Sequence, residues 1–262
     1  MLSLIPLILA GALLQQPETL SLLEEPLYAP PVSKAERARL EDIVAQARAE
    51  VSRDRANADA VLRLARAERD LGRIGDALEA LTRAIEGKTD TPSLRLERGR
   101  GFVAIRKFEL AQREFRKAAE TLPEARCDIA FTSYLLADYK KSHEEYLACK
   151  DSGIFGYLAA RRAGADAGSR PELPAEPDRQ SREVKLPGSV TSKPASQERS
   201  MAGVYMDAVD RLVANERTAA KDLLKPLVEK HKSQWMEPVY VAAEADYARI
   251  LKSEPKKKKK KK

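Results

Sequence analysis

Residues 76–86 read DALEALTRAIE and residues 110–120 read LAQREFRKAAE, the same pattern offset by 34 residues. In each stretch two small residues flank a bulky one: Ala77 and Ala84 around Leu81, then Ala111 and Ala118 around Phe115. Helices approach closely only where side chains are small, and bulky residues fill the space on either side. Ile74 and Phe108 continue the correspondence, as do Ala65 and Gly99. A chain that repeats this spacing is constrained to helices that pair, each pair leaving an apolar face for the next to cover. Composition agrees, because Ala, Leu, Glu, Arg and Lys dominate and only 5% of residues are aromatic. These are strong helix formers, and no Asn-Gly or Asp-Gly hairpin turn occurs, so the expected fold is all-α. The alternative is an unrelated bundle of Ala-rich helices.

Punctuation divides the chain. Residues 1–14, MLSLIPLILAGALL, are uncharged. The run is shorter than the roughly 20 apolar residues that span a membrane. It suits the core of a signal peptide, with small residues at 10–12 for cleavage, although preceding cations are missing and Pro6 interrupts it. The other reading is an apolar terminus that is disordered or held by a partner. Residues 15–33 hold four prolines and read as a spacer. Ser33 reads as the N-cap of a capping helix within 34–57, and helical signals continue to about 162. Residues 163–198, with five prolines and few large apolar side chains, read as a disordered linker. Three helices are expected within 199–253, with Pro226 a potential kink in the second, followed by a tail over 254–262.

The middle region resembles the tetratricopeptide repeat (TPR) family. The family's 34-residue unit is a pair of antiparallel helices. The unit 58–91 supplies Val61, Leu64, Ala65, Ile74, Ala77, Leu81 and Ala84, with Gly72 at the turn and Glu68 out of pattern. The unit 92–122 keeps Gly99, Phe102, Phe108, Ala111, Phe115 and Ala118, but places Arg95 and Arg98 where apolar residues belong. A shorter unit, 123–150, retains Ala130, Tyr139, Ser142, Tyr146 and Cys149, and residues 151–162 begin a partial fourth. The resemblance implies an α-solenoid of stacked hairpins. It also implies a concave groove lined by the first helix of each unit. Carried over position by position, that groove holds Asp59, Leu62, Arg66, Arg69 and Asp70, then Ser93, Leu96, Arg100, Val103 and Ala104, then Glu124, Cys127, Phe131, Tyr134 and Leu135. Arg66, Arg69 and Arg100 at one end, with Phe131 and Tyr134 at the other, would hold an extended acidic or C-terminal peptide. An ordinary mixed-charge surface is the plainer alternative.

Catalytic chemistry leaves no trace. His143 and His231 lack metal-ligand spacing, and no phosphate loop or nucleophile motif occurs, so neither metal nor cofactor is expected. Cys127 and Cys149 are the only cysteines, near the start of one predicted helix and the end of its antiparallel partner. They are either a disulfide, which export would permit, or two small packing residues. The net charge of +7 equals that of Lys256, Lys257, Lys258, Lys259, Lys260, Lys261 and Lys262, so the remainder is balanced and gives no sign of a basic nucleic-acid groove. The lysines are either a tether for polyanions or an anionic surface, or a solubilising end. The expectation is a non-enzymatic protein- or peptide-binding scaffold in a bacterial envelope or periplasm. The alternatives are a polyanion binder acting through its tail and, for location, a cytoplasmic protein.

Overall fold

A computed structural model describes residues 16–150, 152–173 and 200–254. The fold is all-α, with eleven α-helices and one small β-hairpin among the described residues. The run 1–14 expected to be a signal peptide, residues 174–198 of the expected linker and the seven lysines lie outside them.

Helix α1 (Lys34–Arg53) starts where Ser33 Oγ accepts the Glu36 N–H at 3.2 Å. It buries Leu40, Val44 and Ala47 against Leu64, Ala67 and Leu71. Three hairpins follow: α2 (Ala58–Asp70) with α3 (Ile74–Glu86), α4 (Pro92–Ala104) with α5 (Phe108–Ala119), and α6 (Ala125–Leu135) with α7 (Tyr139–Leu147). Caps fix their starts. Asn57 accepts the Ala60 N–H at 3.0 Å and Thr91 the Leu94 N–H at 3.3 Å, with Pro92 in the first helical turn. Helix α8 (Gly153–Ala163) packs on α7 and has no hairpin partner adjoining it in the described chain. Helices α9 (Met201–Val213), α10 (Arg217–Lys230) and α11 (Pro238–Ser253) complete the chain, and α10 runs through Pro226.

Sequence reading missed that α9 and α10 form a fourth hairpin in the same register. Each hairpin turns through one left-handed residue: Gly72, Arg106, Ala137 and Asn215, with φ of 82°, 63°, 64° and 61°. The following N–H then reaches back to the first helix: Arg73 to Glu68 and Lys107 to Phe102 at 2.8 Å, Asp138 to Ser133 at 2.9 Å, Glu216 to Arg211 at 2.8 Å. This bond satisfies a helix-end carbonyl, which helps a non-glycine residue hold positive φ. Counting back from each turn reaches Ala65, Gly99, Ala130 and Ala208; counting forward reaches Ala77, Ala111, Ser142 and Ala220, then Leu81, Phe115, Tyr146 and Leu224. All twelve are buried. At Gly99 an added Cβ would lie 2.7 Å from Phe115 Cδ1, so the backbones there are as close as glycine allows.

The segment 15–33, expected to be a spacer, is a folded strap over the described residues 16–32. Strands β1 (Thr19–Leu20) and β2 (Pro26–Leu27) pair antiparallel, and Leu27 is buried in the core. The Trp235 Nε1–H donates to the Tyr28 carbonyl at 2.7 Å, and the Leu22 N–H donates to Glu244 on α11. Ala29 and Pro30 then close over Gly72, where an added Cβ would meet Pro30 Cδ at 2.7 Å. Helix α11 continues this cover along the next two turns. Glu244 pairs with Arg106 at 2.6 Å, both almost fully buried, and Arg249 donates to the Leu135 carbonyl. The linker's described start is docked as well: Arg170 reaches Asp207 at 2.6 Å and Asp210 at 3.1 Å on α9.

Candidate functional site

Two departures from the repeat pattern are resolved by charge pairing. Glu68, fully buried in α2, meets Arg48 of α1 at 2.5 Å and Arg73 at 3.4 Å. Arg95 and Arg98, where apolar residues were expected, both pair with Glu114 of α5, at 3.1 and 2.9 Å. A buried charge is tolerated when it is paired and hydrogen-bonded. These positions therefore pack helices as their apolar counterparts would.

The same device, turned to the surface, crosses α2, α4 and α6. The buried Glu97 carboxylate on α4 accepts from Arg66 Nε at 3.3 Å and from Arg69 of α2. Arg100, 4.0 Å from Glu97, pairs with Asp128 of α6 at 3.3 Å. The three arginines predicted to share a groove thus share one ladder of charges. Burial, the largest influence, lowers the Arg69 pKa, and the nearby Arg100 and Arg66 act the same way. Burial raises the Asp128 pKa, with Arg100 opposing it. The Arg66 and Arg100 side chains remain 54% and 43% exposed, so the ladder's outer edge is open to a ligand. Arg66 spends only Nε on Glu97. Its terminal nitrogens remain as donors for a carboxylate or a peptide carbonyl. Neighbouring Asp70, 3.3 Å from Arg69, brings carboxylates level with arginines, so this face is mixed in charge rather than basic.

The aromatic end of the expected groove is occupied by the chain itself. Tyr134 is 1% exposed, so its assignment to a peptide-binding surface is corrected. Its hydroxyl lies 3.0 Å from that of Tyr205 on α9, which in turn donates to Asp246 of α11 at 2.8 Å. Phe131 is partly buried, its ring edge-on to Phe155 of α8 at 4.7 Å. Leu135 is buried beside α11, and Leu62, Leu96 and Ala104 belong to the interior. Arg162 and Arg249 close the Asp246 cluster at 3.3 and 2.6 Å, and Arg162 stacks on Tyr139 at 4.1 Å. The C-terminal helices were expected to cap or stack on the hairpins; α9 and α11 meet α6 of the third at positions expected to line the groove.

Cys127 and Cys149 are joined, their Cα atoms 5.5 Å apart. The bond closes the third hairpin where α7 is shortest, nine residues against thirteen in α3 and twelve in α5. His143 sits partly exposed on α7, and His231 follows the end of α10. Among the described residues no group of three or more His, Cys, Asp or Glu side chains is arranged to hold a metal ion, and no helix is long and apolar enough to cross a membrane. No protein-family profile, characterised protein or solved structure matches the chain.

Proposed function

We propose that the chain is a non-enzymatic scaffold of tetratricopeptide type, an α-solenoid whose open concave face at α2 and α4 binds an extended segment of a partner protein. The observation that carries this reading is the ladder Arg66–Glu97–Arg100–Asp128, held by a buried carboxylate while two guanidinium groups face outward. Pre-positioned donors of this kind lower the ordering cost of binding. The shared register of the four hairpins supports the repeat assignment, because one geometry of small residues and left-handed turns recurs in each. The mixed charge of the face favours a peptide whose carboxylates meet Arg66 and Arg100 while its backbone or cations meet Asp70 and Asp128. Export to a bacterial envelope belongs to the same proposal. The Cys127–Cys149 pair supports it, since disulfides persist in oxidising compartments.

The test is photo-crosslinking from position 59, on the same face of α2, in native envelope extract, comparing the full chain with Arg66→Glu/Arg100→Glu and with a chain lacking 256–262. Loss of one defined partner in the groove variant, with retention in the truncated chain, supports the face as the binding site. The reverse pattern assigns binding to the lysines and overturns the groove reading.

A further inference from the structure

A cleft of about 570 Å³ opens between the strap, α10 and α11. Its floor is apolar: Leu22 and Leu23 from the tip of the strap, Val228 of α10, and Tyr247, Ala248 and Leu251 of α11. Leu251 is 37% exposed there, a large apolar side chain left uncovered. The walls are already built. Ser21 Oγ accepts the N–H groups of Leu23 and Glu25 at 3.1 Å, and the Ser21 carbonyl accepts that of Glu24 at 3.1 Å, so the tip's backbone donors are spent internally. Space of this size with an apolar floor is typical of a binding pocket.

The rim gives the cleft a sign. Among the described residues it carries Glu24, Glu25, Glu229 and Glu254 against one ammonium, Lys252. Glu25 and Glu254 are paired outside the cleft with Lys232 and Lys221, at 2.6 and 2.5 Å. Glu24 and Glu229 are exposed and make no ion pair among the described residues. They stand on different walls, Glu24 on the strap and Glu229 on α10. An occupant must therefore offer apolar side chains to the floor and cations to both edges. We infer that this cleft docks a partner segment of that chemistry: a short amphipathic stretch with leucine-like anchors flanked by lysine or arginine. The site is independent of the charged face on α2 and α4, and it exists only when strap and α11 are folded together.

Fluorescence anisotropy with a labelled amphipathic peptide of leucine and lysine tests this on the full-length oxidised protein. The variants are Leu251→Glu and Glu24→Lys/Glu229→Lys, all at exposed positions, with circular dichroism and urea melts to confirm that each folds. Each is expected to weaken binding about tenfold or more, the second in a salt-dependent way, because one removes the anchor's floor and the other inverts the rim. Arg66→Glu/Arg100→Glu is expected to leave it unchanged, which separates this site from the groove. Equal binding of a leucine–glutamate peptide, or wild-type affinity in Leu251→Glu, overturns the inference. Deletion of 256–262 that by itself strengthens binding about tenfold assigns the cleft to the chain's own lysines rather than to a partner, and also overturns it.

Discussion

The Arg106–Glu244 pair joins the second hairpin to α11 across 138 residues of sequence, and replacing Glu244 by leucine isolates its contribution. The Arg106 side chain is 4% exposed and that of Glu244 fully buried. Arg106 donates to both carboxylate oxygens, at 3.3 and 2.6 Å, to the Trp235 carbonyl at 3.0 Å and to the Ala104 carbonyl. In Glu244→Leu the guanidinium stays buried with carbonyls alone, at a cost of about 3–5 kcal/mol. The Leu22 N–H loses its acceptor too, a penalty of about 1–3 kcal/mol that overlaps the first. The expected destabilisation is therefore about 4–6 kcal/mol. Arg106→Met/Glu244→Leu removes both charges and should recover about half of this, leaving about 2–3 kcal/mol for the orphaned Leu22, Trp235 and Ala104 backbone groups. Urea denaturation followed by circular dichroism measures all four corners of the cycle. The reasoning is refuted if Glu244→Leu costs less than about 1 kcal/mol, or if the double variant is no more stable than the single one.

Further outcomes are expected elsewhere. Cys127→Ser/Cys149→Ser should lower stability by about 3 kcal/mol, from the 22-residue loop the disulfide closes, with no change in the reduced wild type as the contrary result in urea melts. Gly99→Ala should cost about 1–3 kcal/mol because its methyl group strikes the Phe115 ring, whereas Gly75→Ala, with nothing within 4 Å, should be neutral or gain up to about 1 kcal/mol. Burial raises the Tyr139 pKa to about 12 and holds Tyr134 and Tyr205 well above the ordinary phenol value. A raised phenol pKa favours the fold while the hydroxyl is neutral. Stability from these groups is complete below pH of about 10 and falls as pH rises through about 12, by roughly 3 kcal/mol for Tyr139 alone. Denaturant melts at pH of about 7 and 11, with phenolate absorbance as a second reading, check the slope; equal stability at both refutes it.

Local pattern was enough to read the hairpin helices, because small and bulky residues alternate there at helical spacing. Ser33 announced α1 for the same reason: a cap acts within one turn of the chain. What escaped was set by residues far away. The strap looked like a spacer because its prolines exclude a helix, yet its partners Trp235 and Glu244 come more than 200 positions later. Tyr134 occupies a groove position by register, and only the arrival of Tyr205 makes it interior. Arg95 and Arg98 read as faults in the repeat until Glu114 stands opposite them. The fourth hairpin was hidden differently. Helix α8 with the following segment separates it from the third, so no fixed interval reveals it.

The strap also determines how the molecule responds to force. Tension applied at residues 16 and 254 enters at the strap and at α11, and the strap is held by Leu22–Glu244 on α11 and by Tyr28–Trp235 just before it. Those bonds carry the load before any hairpin does. Once they part, Arg106 loses its buried partner and the second turn is uncovered. The hairpins can then peel away singly, each held by its own neighbours. An optical-trap record should accordingly show one high first rupture followed by a series of smaller ones, with the first abolished in Glu244→Leu.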